Sequence, residues 1–427
     1  MTIITGNIKD ILSIKMKPRH DDVTDQFSRI FMAKIFLISS LIMSVDFFSD
    51  KVSCIVPGDS SLSRDFVHSA CWIQGFYIYE EMRYRFSESG YFGIPKDVEL
   101  DGIYPDGKLC RRLNKASHLL DEDCKEMTKT FYIQFQYFPF YVASIAIMFY
   151  MPYILFRIIN ADIISLRDNL KAPSDTTAEK LVQNYFDYSM NGGKGKLRMR
   201  VGLNVCVKIF YVLVNVMSFV FTDDLLNGNF KSYGLEWLKW SKLNNSLAFA
   251  YTRTRAHPKP GNMLLPAMGF CDITEGVKDV RHSFTNYNKF ICEISPHILY
   301  QYVLVVLWFL LIISIVISNI GVLINMFSLS YIMLSCRESR NVSRNTRNIV
   351  KRVRRNITIR EIEYLQFIRV KNLAMFGEVV RLLQARAEQR YAHNFEVHET
   401  RQRSQHQSFE RPSYGKQTSL LLRNTKS

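Results

Sequence analysis

Residues 298–334 read ILYQYVLVVLWFLLIISIVISNIGVLINMFSLSYIML and contain no charged side chain. About 20 apolar residues in a helix are enough to cross the hydrocarbon core of a bilayer. Because this stretch is longer than one crossing, it predicts a membrane helix that either tilts or continues into the cytoplasm. The residues that follow it, from 337 to 360, are rich in arginine.

Three further apolar stretches precede this one, at residues 27–48, 134–157 and 201–221. Each has the length of one membrane crossing. The second contains Pro139 and Pro152, and a proline inside a membrane helix frees a backbone carbonyl and tends to kink the helix. The sequence therefore predicts an all-α membrane protein with four transmembrane helices per subunit.

Charge predicts how these helices are oriented. The net charge is +16, and basic residues are concentrated at 192–200 and at 337–360. Segments rich in Lys and Arg remain in the cytoplasm, and four crossings place both segments and both chain termini on that side. The long connections 49–133 and 222–297 then form two extracellular loops, and residues 158–200 form a cytoplasmic loop.

Two lysines interrupt the apolar stretches. Lys34 lies near a helix end, so snorkelling to the cytoplasmic interface is a simpler interpretation than facing an aqueous pathway. Lys208 lies about two turns into the third span, where snorkelling competes with a polar contact between helices or toward a pore. Asp21, Asp22 and Asp25 precede the first span and could complement the N-terminus of its helix.

Cysteines mark the two long loops. The sequence has eight cysteines, and six of them lie between the apolar stretches: Cys54, Cys71, Cys110, Cys124, Cys271 and Cys292. This clustering indicates oxidised extracellular loops rather than a metal site. Within the first loop, Cys110 and Cys124 could pair with each other or remain free, and pairing is favoured because extracellular thiols are usually oxidised.

A series of short motifs runs through residues 20 to 385. The motifs are Cys54 with Val56-Pro57, Cys71-Trp72-Ile73-Gln74, Tyr150-Met151-Pro152, Tyr233-Gly234, Leu265-Pro266 before Phe270-Cys271-Asp272, Cys292, and Trp308-Phe309. In order and spacing this series resembles the innexin family. The family signature Tyr-Tyr-Gln-Trp-Val-Pro aligns with residues 134–139, where Gln136 and Pro139 match and aromatic residues replace others.

This resemblance implies a gap-junction channel subunit in the plasma membrane, which passes ions and small molecules between adjacent cells. The family pattern implies the disulfides Cys54–Cys292 and Cys71–Cys271, and Cys110 and Cys124 are additional to it. It further implies a homomeric ring or a heteromeric ring with other innexin subunits, an octamer, which docks onto a ring of the next cell. The extracellular region is then a disulfide-stabilised mixed α/β structure.

The N-terminal segment 1–26 is expected to fold into the cytoplasmic mouth of such a ring as a pore funnel. Its isoleucines repeat at roughly helical spacing, although a disordered leader is the alternative. The residues expected to line the constriction are Thr2, Ile3, Ile4 and Thr5. Selectivity of a wide pore comes from its lining charge and diameter.

The region after the fourth span, 335–393, is predicted to form a helical cytoplasmic dome. Thr358-Ile359-Arg360-Glu361 is a capping-box pattern, and apolar residues follow it at helical spacing. Six basic residues precede it and either bind anionic lipid headgroups or form a solvated helix surface: Arg344, Arg347, Lys351, Arg352, Arg354 and Arg355. Residues 394–427 are polar and predicted to be disordered, and Asn244 is a glycosylation candidate.

Two rival functions are also compatible with the sequence. One is an undocked, pannexin-like hemichannel, and the other is a four-pass adhesion or scaffold protein without a pore. An enzyme is not indicated, because the loop histidines lack metal-ligand spacing and no nucleophile or paired-carboxylate motif is present. The sequence predicts no cofactor, no metal and no nucleic-acid partner, since zinc-finger and RNP motifs are absent from it.

Overall fold

The computed structural model describes residues 21–49, 52–58, 62–112, 121–171, 177–187, 193–244, 259–278, 283–335 and 357–389. The chain divides into two compact units. Unit 1 comprises Met1–Ile158 and Asn204–Met326, and unit 2 comprises Ile159–Leu203 and Phe327–Ser427. The predictions for Thr2, Ile3, Ile4, Thr5 and the basic residues from Arg344 to Arg355 lie outside the described residues.

Within the described ranges, four helices are long and apolar enough to cross a membrane, so the prediction of four membrane helices is confirmed at the level of length and composition. Helix α1 covers residues 23–49, α3 is Phe138–Ile159, α6 is Gly193–Leu225 and α9 is Ser295–Ser335. In lipid a helix is favoured because its backbone groups form their hydrogen bonds within the segment.

Two of these helices depart from regular geometry. Helix α1 is α-helical at Val23–Gln26, π-helical at Phe27–Met32 and α-helical again at Ala33–Ser49. In α3, Pro139 is the second helical residue, where a missing N–H costs little, so only Pro152 lies in the helix interior.

The ends of two helices extend past the apolar stretches. Helix α6 begins at Gly193, within the basic segment before its apolar stretch. Helix α9 runs through Ser335 as one helix. An α-helix forms its backbone hydrogen bonds within itself, in water as well as in lipid. The helices therefore extend beyond the apolar residues that hydropathy detects.

The two long loops fold together into what we call the cystine module, which comprises the described residues of 52–137 and 259–294 in unit 1. Its helices are α2, Arg64–Gln74, and the short α8, Pro260–Leu264. Its principal sheet has the order β1-β10-β9-β2-β8, with all pairs antiparallel. These strands are β1 Ser53–Cys54, β2 Phe76–Tyr79, β8 Lys129–Tyr132, β9 Met268–Lys278 and β10 Ser283–Glu293.

Two smaller sheets complete this module. One pairs β3, Ser89–Tyr91, with β4, Ile94–Pro95. The other has the order β6-β5-β7, formed by β5 Gly102–Ile103, β6 Leu109–Cys110 and β7 Lys125–Glu126. Buried side chains of the principal sheet, such as Phe76 and Phe270, continue the same apolar core as the membrane helices. The module is therefore packed onto the helices of unit 1.

Helix α7, Tyr233–Ser241, follows α6 in unit 1. Unit 2 contains α4, Ala161–Lys171, α5, Ala178–Phe186, and α10, Ile359–Lys371, and it is also helical at 373–389. Thr358 caps α10, since the Glu361 carboxylate accepts from its backbone N–H at 2.6 Å. The apolar core of this unit comprises Leu166, Ala178, Leu181, Val182, Tyr185, Phe186, Tyr364, Ile368, Val379 and Leu383.

Candidate docking module and membrane ion cluster

The first disulfide joins the two loops across neighbouring strands. Cys54 in β1 and Cys292 in β10 lie directly opposite each other in the antiparallel register, with a Cα–Cα distance of 3.9 Å. Both residues are buried. Because β1 has only two residues, this bond holds a strand that has few ladder hydrogen bonds of its own.

The second disulfide joins a helix to the sheet. Cys71 on α2 bonds to Cys271 on β9, with a Cα–Cα distance of 5.7 Å. These two inter-loop pairs are the ones that the family resemblance implies. The Sγ atoms of Cys54, Cys71 and Cys292 lie within 4.8 Å of one another, but all three are oxidised in disulfides. The sulfur cluster therefore has no thiolate to offer a metal.

Helix α2 is fixed at both of its ends. At its start, the Ser63 hydroxyl accepts from the Phe66 N–H at 3.3 Å, as an N-cap does. At its end, Gly75 has φ +84° and donates to the Cys71 carbonyl. The Gln136 side chain, just before α3, donates to the carbonyls of Trp72 at 2.6 Å and Ile73 at 3.1 Å. A matched position of the family signature thus couples the second membrane helix to α2.

The third disulfide is local to the first loop. Cys110 bonds to Cys124, 14 residues away, with a Cα–Cα distance of 6.0 Å. Gly102 of β5 lies against this bond, because a Cβ there would approach the Cys124 Sγ to 2.4 Å. An ion pair joins Arg112, which follows β6, to Glu126 of β7. The sequence left these two cysteines either bonded to each other or free, and in the structure they are bonded.

Three charged side chains of the principal sheet have polar or aromatic partners. Asp272 accepts from the Tyr77 hydroxyl at 2.7 Å and from the Lys129 ammonium at 3.2 Å. The Lys289 ammonium donates to the Tyr79 hydroxyl at 3.0 Å and lies 4.8 Å from the centre of the Phe270 ring. Burial lowers the pKa of Lys289, although the Asp272 carboxylate opposes that effect. Cations over rings and in ion pairs stiffen the sheet face.

Lys208 forms an interhelical ion cluster. Its ammonium on α6 lies 2.5 Å from a carboxylate oxygen of Asp25 on α1 and 2.5 Å from one of Asp22. The side chains of Lys208 and Asp25 are each only 4% exposed. Between the two sequence interpretations, the structure therefore has Lys208 in a polar contact between helices.

Arg29 extends this cluster within the same end of α1. Its guanidinium donates twice to one carboxylate oxygen of Asp21, at 2.7 and 3.0 Å, and lies 3.8 Å above the Tyr153 ring of α3. The π-helical segment Phe27–Met32 includes Arg29. The acidic residues before the first span thus pair with specific cations, which hydropathy did not reveal.

A second polar contact joins three membrane helices nearby. The Asn215 amide on α6 donates to the Ser318 hydroxyl of α9 at 2.9 Å and to the Ser28 hydroxyl of α1 at 3.3 Å. Its oxygen accepts from Ser314 at 2.5 Å. All four side chains are buried. Interhelical hydrogen bonds of this kind hold membrane helices together where lipid offers no hydrophobic driving force.

Unit 2 has a buried charge network of its own. Arg360, which is 0% exposed, donates to both carboxylate oxygens of Asp162 at 2.8 and 3.1 Å and to Asn160 at 2.7 Å. Arg200 pairs with Asp162 at 2.9 Å, and the Tyr364 hydroxyl donates to it. Burial alone would raise the pKa of Asp162, but the hydrogen bonds and charge of Arg360 bring it below its ordinary value.

Asn244 is exposed and follows α7 in the described part of the chain. Its exposure is compatible with the glycosylation prediction, which stays a prediction. Lys34 is half-buried on α1, and its snorkelling to the interface stays a prediction.

These features define a four-pass membrane protein in which two long loops are clamped by inter-loop disulfides. A family model described as Innexin matches residues 21–387. The chain belongs to the innexin family. Membership in this family supports a gap-junction channel subunit at the family level. It also supports a multi-pass membrane protein. The innexins are a channel family rather than an enzyme family.

Among curated proteins, the chain is similar to Innexin inx3 of Drosophila melanogaster. The two are 23% identical over 338 residues, which cover 75% of this chain and 71% of the relative. The matched family region includes both loops, all four candidate spans and helix α10.

Proposed function

We propose that this chain assembles into a ring of eight subunits in the plasma membrane and docks head-to-head onto a ring of the adjacent cell. The continuous pore would pass ions and small molecules between the two cells. The observation that carries this proposal is the cystine module, in which two inter-loop disulfides hold both long loops in one sheet. A surface that is rigid before docking loses less conformational entropy when it docks.

A ring is needed because four helices of one subunit do not enclose a wide aqueous path, and identical subunits close into rings by cyclic symmetry. We place residues 1–26 in the cytoplasmic mouth as a funnel, with Thr2, Ile3, Ile4 and Thr5 at its constriction. Both termini are then cytoplasmic. The cluster of Lys208 with Asp22 and Asp25 supports this placement, because it fixes the residue at which the N-terminal segment joins α1.

The remaining cytoplasmic assignments belong to the same proposal. Unit 2 would contribute to a dome at the pore entrance, since the Arg360 and Asp162 pair ties its two chain segments together. The basic residues from Arg344 to Arg355 would contact anionic lipid headgroups. Heteromeric rings with other innexin subunits are compatible with this arrangement.

The test is electrical and dye coupling between paired cells that both express the chain. A Cys71→Ser/Cys271→Ser variant removes an inter-loop bridge, whereas a Cys110→Ser/Cys124→Ser variant removes the same number of cysteines from a local bridge. In the chain-entropy model a bridge that closes about 200 residues stabilises by about 5 kcal/mol and one that closes about 14 by about 3 kcal/mol. We expect the first variant to lose coupling while it still reaches the cell surface, and the second to retain a measurable part.

The outcomes separate the rival functions. Dye uptake by single cells without coupling between pairs would favour an undocked hemichannel. Purified particles without a ring and an open axis in electron microscopy would favour an adhesion or scaffold protein. Either result would overturn the docked channel.

A further inference from the structure

The sulfur atoms of the two inter-loop disulfides lie in one cluster. The Cys71 Sγ is within 4.8 Å of the Sγ atoms of both Cys54 and Cys292, which are bonded to each other. Rotating a cysteine side chain from one staggered position to the next moves its Sγ by about 3 Å. The Cys71 sulfur is therefore one side-chain rotation away from a sulfur of the other disulfide.

Packing around the cluster holds these sulfurs together. Helix α2 packs against β1 at this point. His68 lies on α2 one turn before Cys71, on the same face, and its Nε2 is 3.4 Å from the Cys54 carbonyl oxygen. Cys54, Cys71 and Cys292 are all buried. The fold therefore keeps the three sulfurs close, in addition to the bonds that two of them share.

The chain offers Cys54 a second partner within this cluster. Cys54 and Cys292 are 238 residues apart, whereas Cys54 and Cys71 both belong to the first loop. Because the chance of closing a loop falls with about the 3/2 power of its length, a loop of about 17 residues closes roughly fiftyfold more often than the long one in an unfolded chain. The first loop is also synthesised before the second. Before the module folds, a Cys54–Cys71 bond is therefore favoured over the native pair.

We propose that the sulfur cluster is a thiol–disulfide exchange site, which converts an early Cys54–Cys71 bond into the inter-loop pairs. The Cys292 thiol loses its proton to water, and its thiolate attacks the Cys54 sulfur. A Cys54–Cys292 bond forms and the Cys54–Cys71 bond breaks. Cys71 leaves as a thiolate with the bonding electron pair. One disulfide and one thiol are present before and after this step, so it needs no oxidant.

The second native bond then forms with an external oxidant. The Cys71 thiolate attacks a small-molecule disulfide of the oxidised glutathione class and releases one thiol. The Cys271 thiolate attacks the resulting mixed disulfide, which forms Cys71–Cys271 and releases the second thiol. The small-molecule disulfide thereby takes up the two electrons. This role goes beyond the proposed channel function, because it depends only on the fold of the cystine module.

The first experiment runs the exchange backwards in a Cys271→Ser variant, which leaves a Cys71 thiol beside the Cys54–Cys292 bond. The purified full chain is held at about pH 8.5, the ordinary pKa of a cysteine thiol, and is then quenched in acid, unfolded and alkylated with a maleimide. Peptide mass spectrometry locates the alkylated cysteines. We expect at least about a tenth of the loop label on Cys292, which the exchange releases as a thiol. Label on Cys71 alone would overturn the proposal.

The matched control is Cys110→Ser, which leaves a Cys124 thiol from the local bridge. Within the described residues, the one group of three cysteine sulfurs this close together is that of Cys54, Cys71 and Cys292, so the loop label of the control should stay on Cys124. Cys206 of α6 is free and serves as the reference for complete alkylation in both variants. An equal amount of label on Cys292 in the control would show exchange during handling and overturn the proposal.

A second experiment uses the wild-type chain and does not depend on the folding of a variant. Newly synthesised chains are pulse-labelled in cells, alkylated at intervals and digested without reduction. We expect the Cys54–Cys71 peptide to be at least about fivefold more abundant at the earliest time than at the end. The Cys54–Cys292 and Cys71–Cys271 peptides should replace it.

Inter-loop peptides from the first time point, without a Cys54–Cys71 peptide, would overturn the proposal. Neither experiment measures currents or coupling. A failure of the proposed channel function therefore leaves both results intact, and a failure of the exchange leaves the channel function untouched.

Discussion

Replacing Lys208 with Met should destabilise the membrane helices by several kcal/mol. The ammonium contacts Asp22 and Asp25 at 2.5 Å each, and the Asp25 side chain is only 4% exposed. Two unit charges about 3 Å apart attract by about 5 kcal/mol at an effective dielectric constant of about 20. Part of this attraction offsets the desolvation of the ions, so the net loss on removing one partner is about 3 to 5 kcal/mol.

The structure also predicts how this loss can be reversed. A Lys208→Met/Asp25→Leu variant removes both buried charges and fills the same space with apolar groups, which is often neutral or stabilising. We therefore expect the double variant to regain most of the stability that the single variant loses. The matched control is Lys196→Met, the same substitution at an exposed position of the same helix.

The assay is thermal melting of detergent-purified full chain, followed by size-exclusion chromatography with fluorescence detection. A loss of this size corresponds to a fall of the order of 10 °C in melting temperature for a chain unit of this size. Equal melting of Lys208→Met and Lys196→Met would refute the reasoning. A double variant as unstable as the sum of its two single variants would refute it as well, because it would show that the two charges do not interact.

Three regions of the chain yield further predictions. Arg360→Met should lower the free energy of unfolding by about 3 to 5 kcal/mol, because it leaves the Asp162 carboxylate buried without its main partner. Hydrogen exchange should accelerate in α4 and α10 of this variant, but not in an Arg369→Met control. The pKa of Asp162 lies below its ordinary value, so the stability that its carboxylate contributes is complete above the ordinary pKa and is lost as the pH falls. Hydrogen exchange in α4, corrected for the intrinsic rate, should therefore accelerate only below about pH 4. Acceleration above about pH 5 would contradict the assignment. Gln136→Leu removes two hydrogen bonds to α2 and should raise the rate of proteolysis of the first loop by about tenfold, whereas an unchanged rate would show that α2 does not depend on this contact. Asn215→Leu should cost about 1 to 2 kcal/mol, and a loss in thermal melting larger than that of Lys208→Met would reverse the predicted order of the two polar contacts.

Hydropathy and local sequence patterns predicted much of the architecture. The four spans follow from apolar length alone, because each must satisfy its backbone within a helix in lipid. Thr358 and Glu361 likewise predicted the start of α10, since a capping box uses residues three apart in the chain. Such features depend on neighbours in sequence and do not require knowledge of distant contacts.

The loops were less accessible to this reasoning. Cysteine clustering indicated oxidised loops, but the pairing between Cys54 and Cys292 came from a family resemblance, because a disulfide between positions 238 residues apart depends on the fold. In the sheet order β1-β10-β9-β2-β8, the two strands of the second loop lie between strands of the first loop. A two-residue strand such as β1 is too short for its partner strand to be predicted from sequence.

The candidate membrane sites show the same division. The sequence by itself determined the number of membrane helices, the separation of basic and cysteine-bearing segments, and the presence of charges at Asp25 and Lys208. Only the tertiary structure decided that these two charges meet, that Gly234 lies flush against Trp308, and that α7 runs beside the fourth helix. The physical reason is that hydropathy is a property of each segment alone, whereas an ion pair or a close packing contact depends on which helix faces which and at what depth.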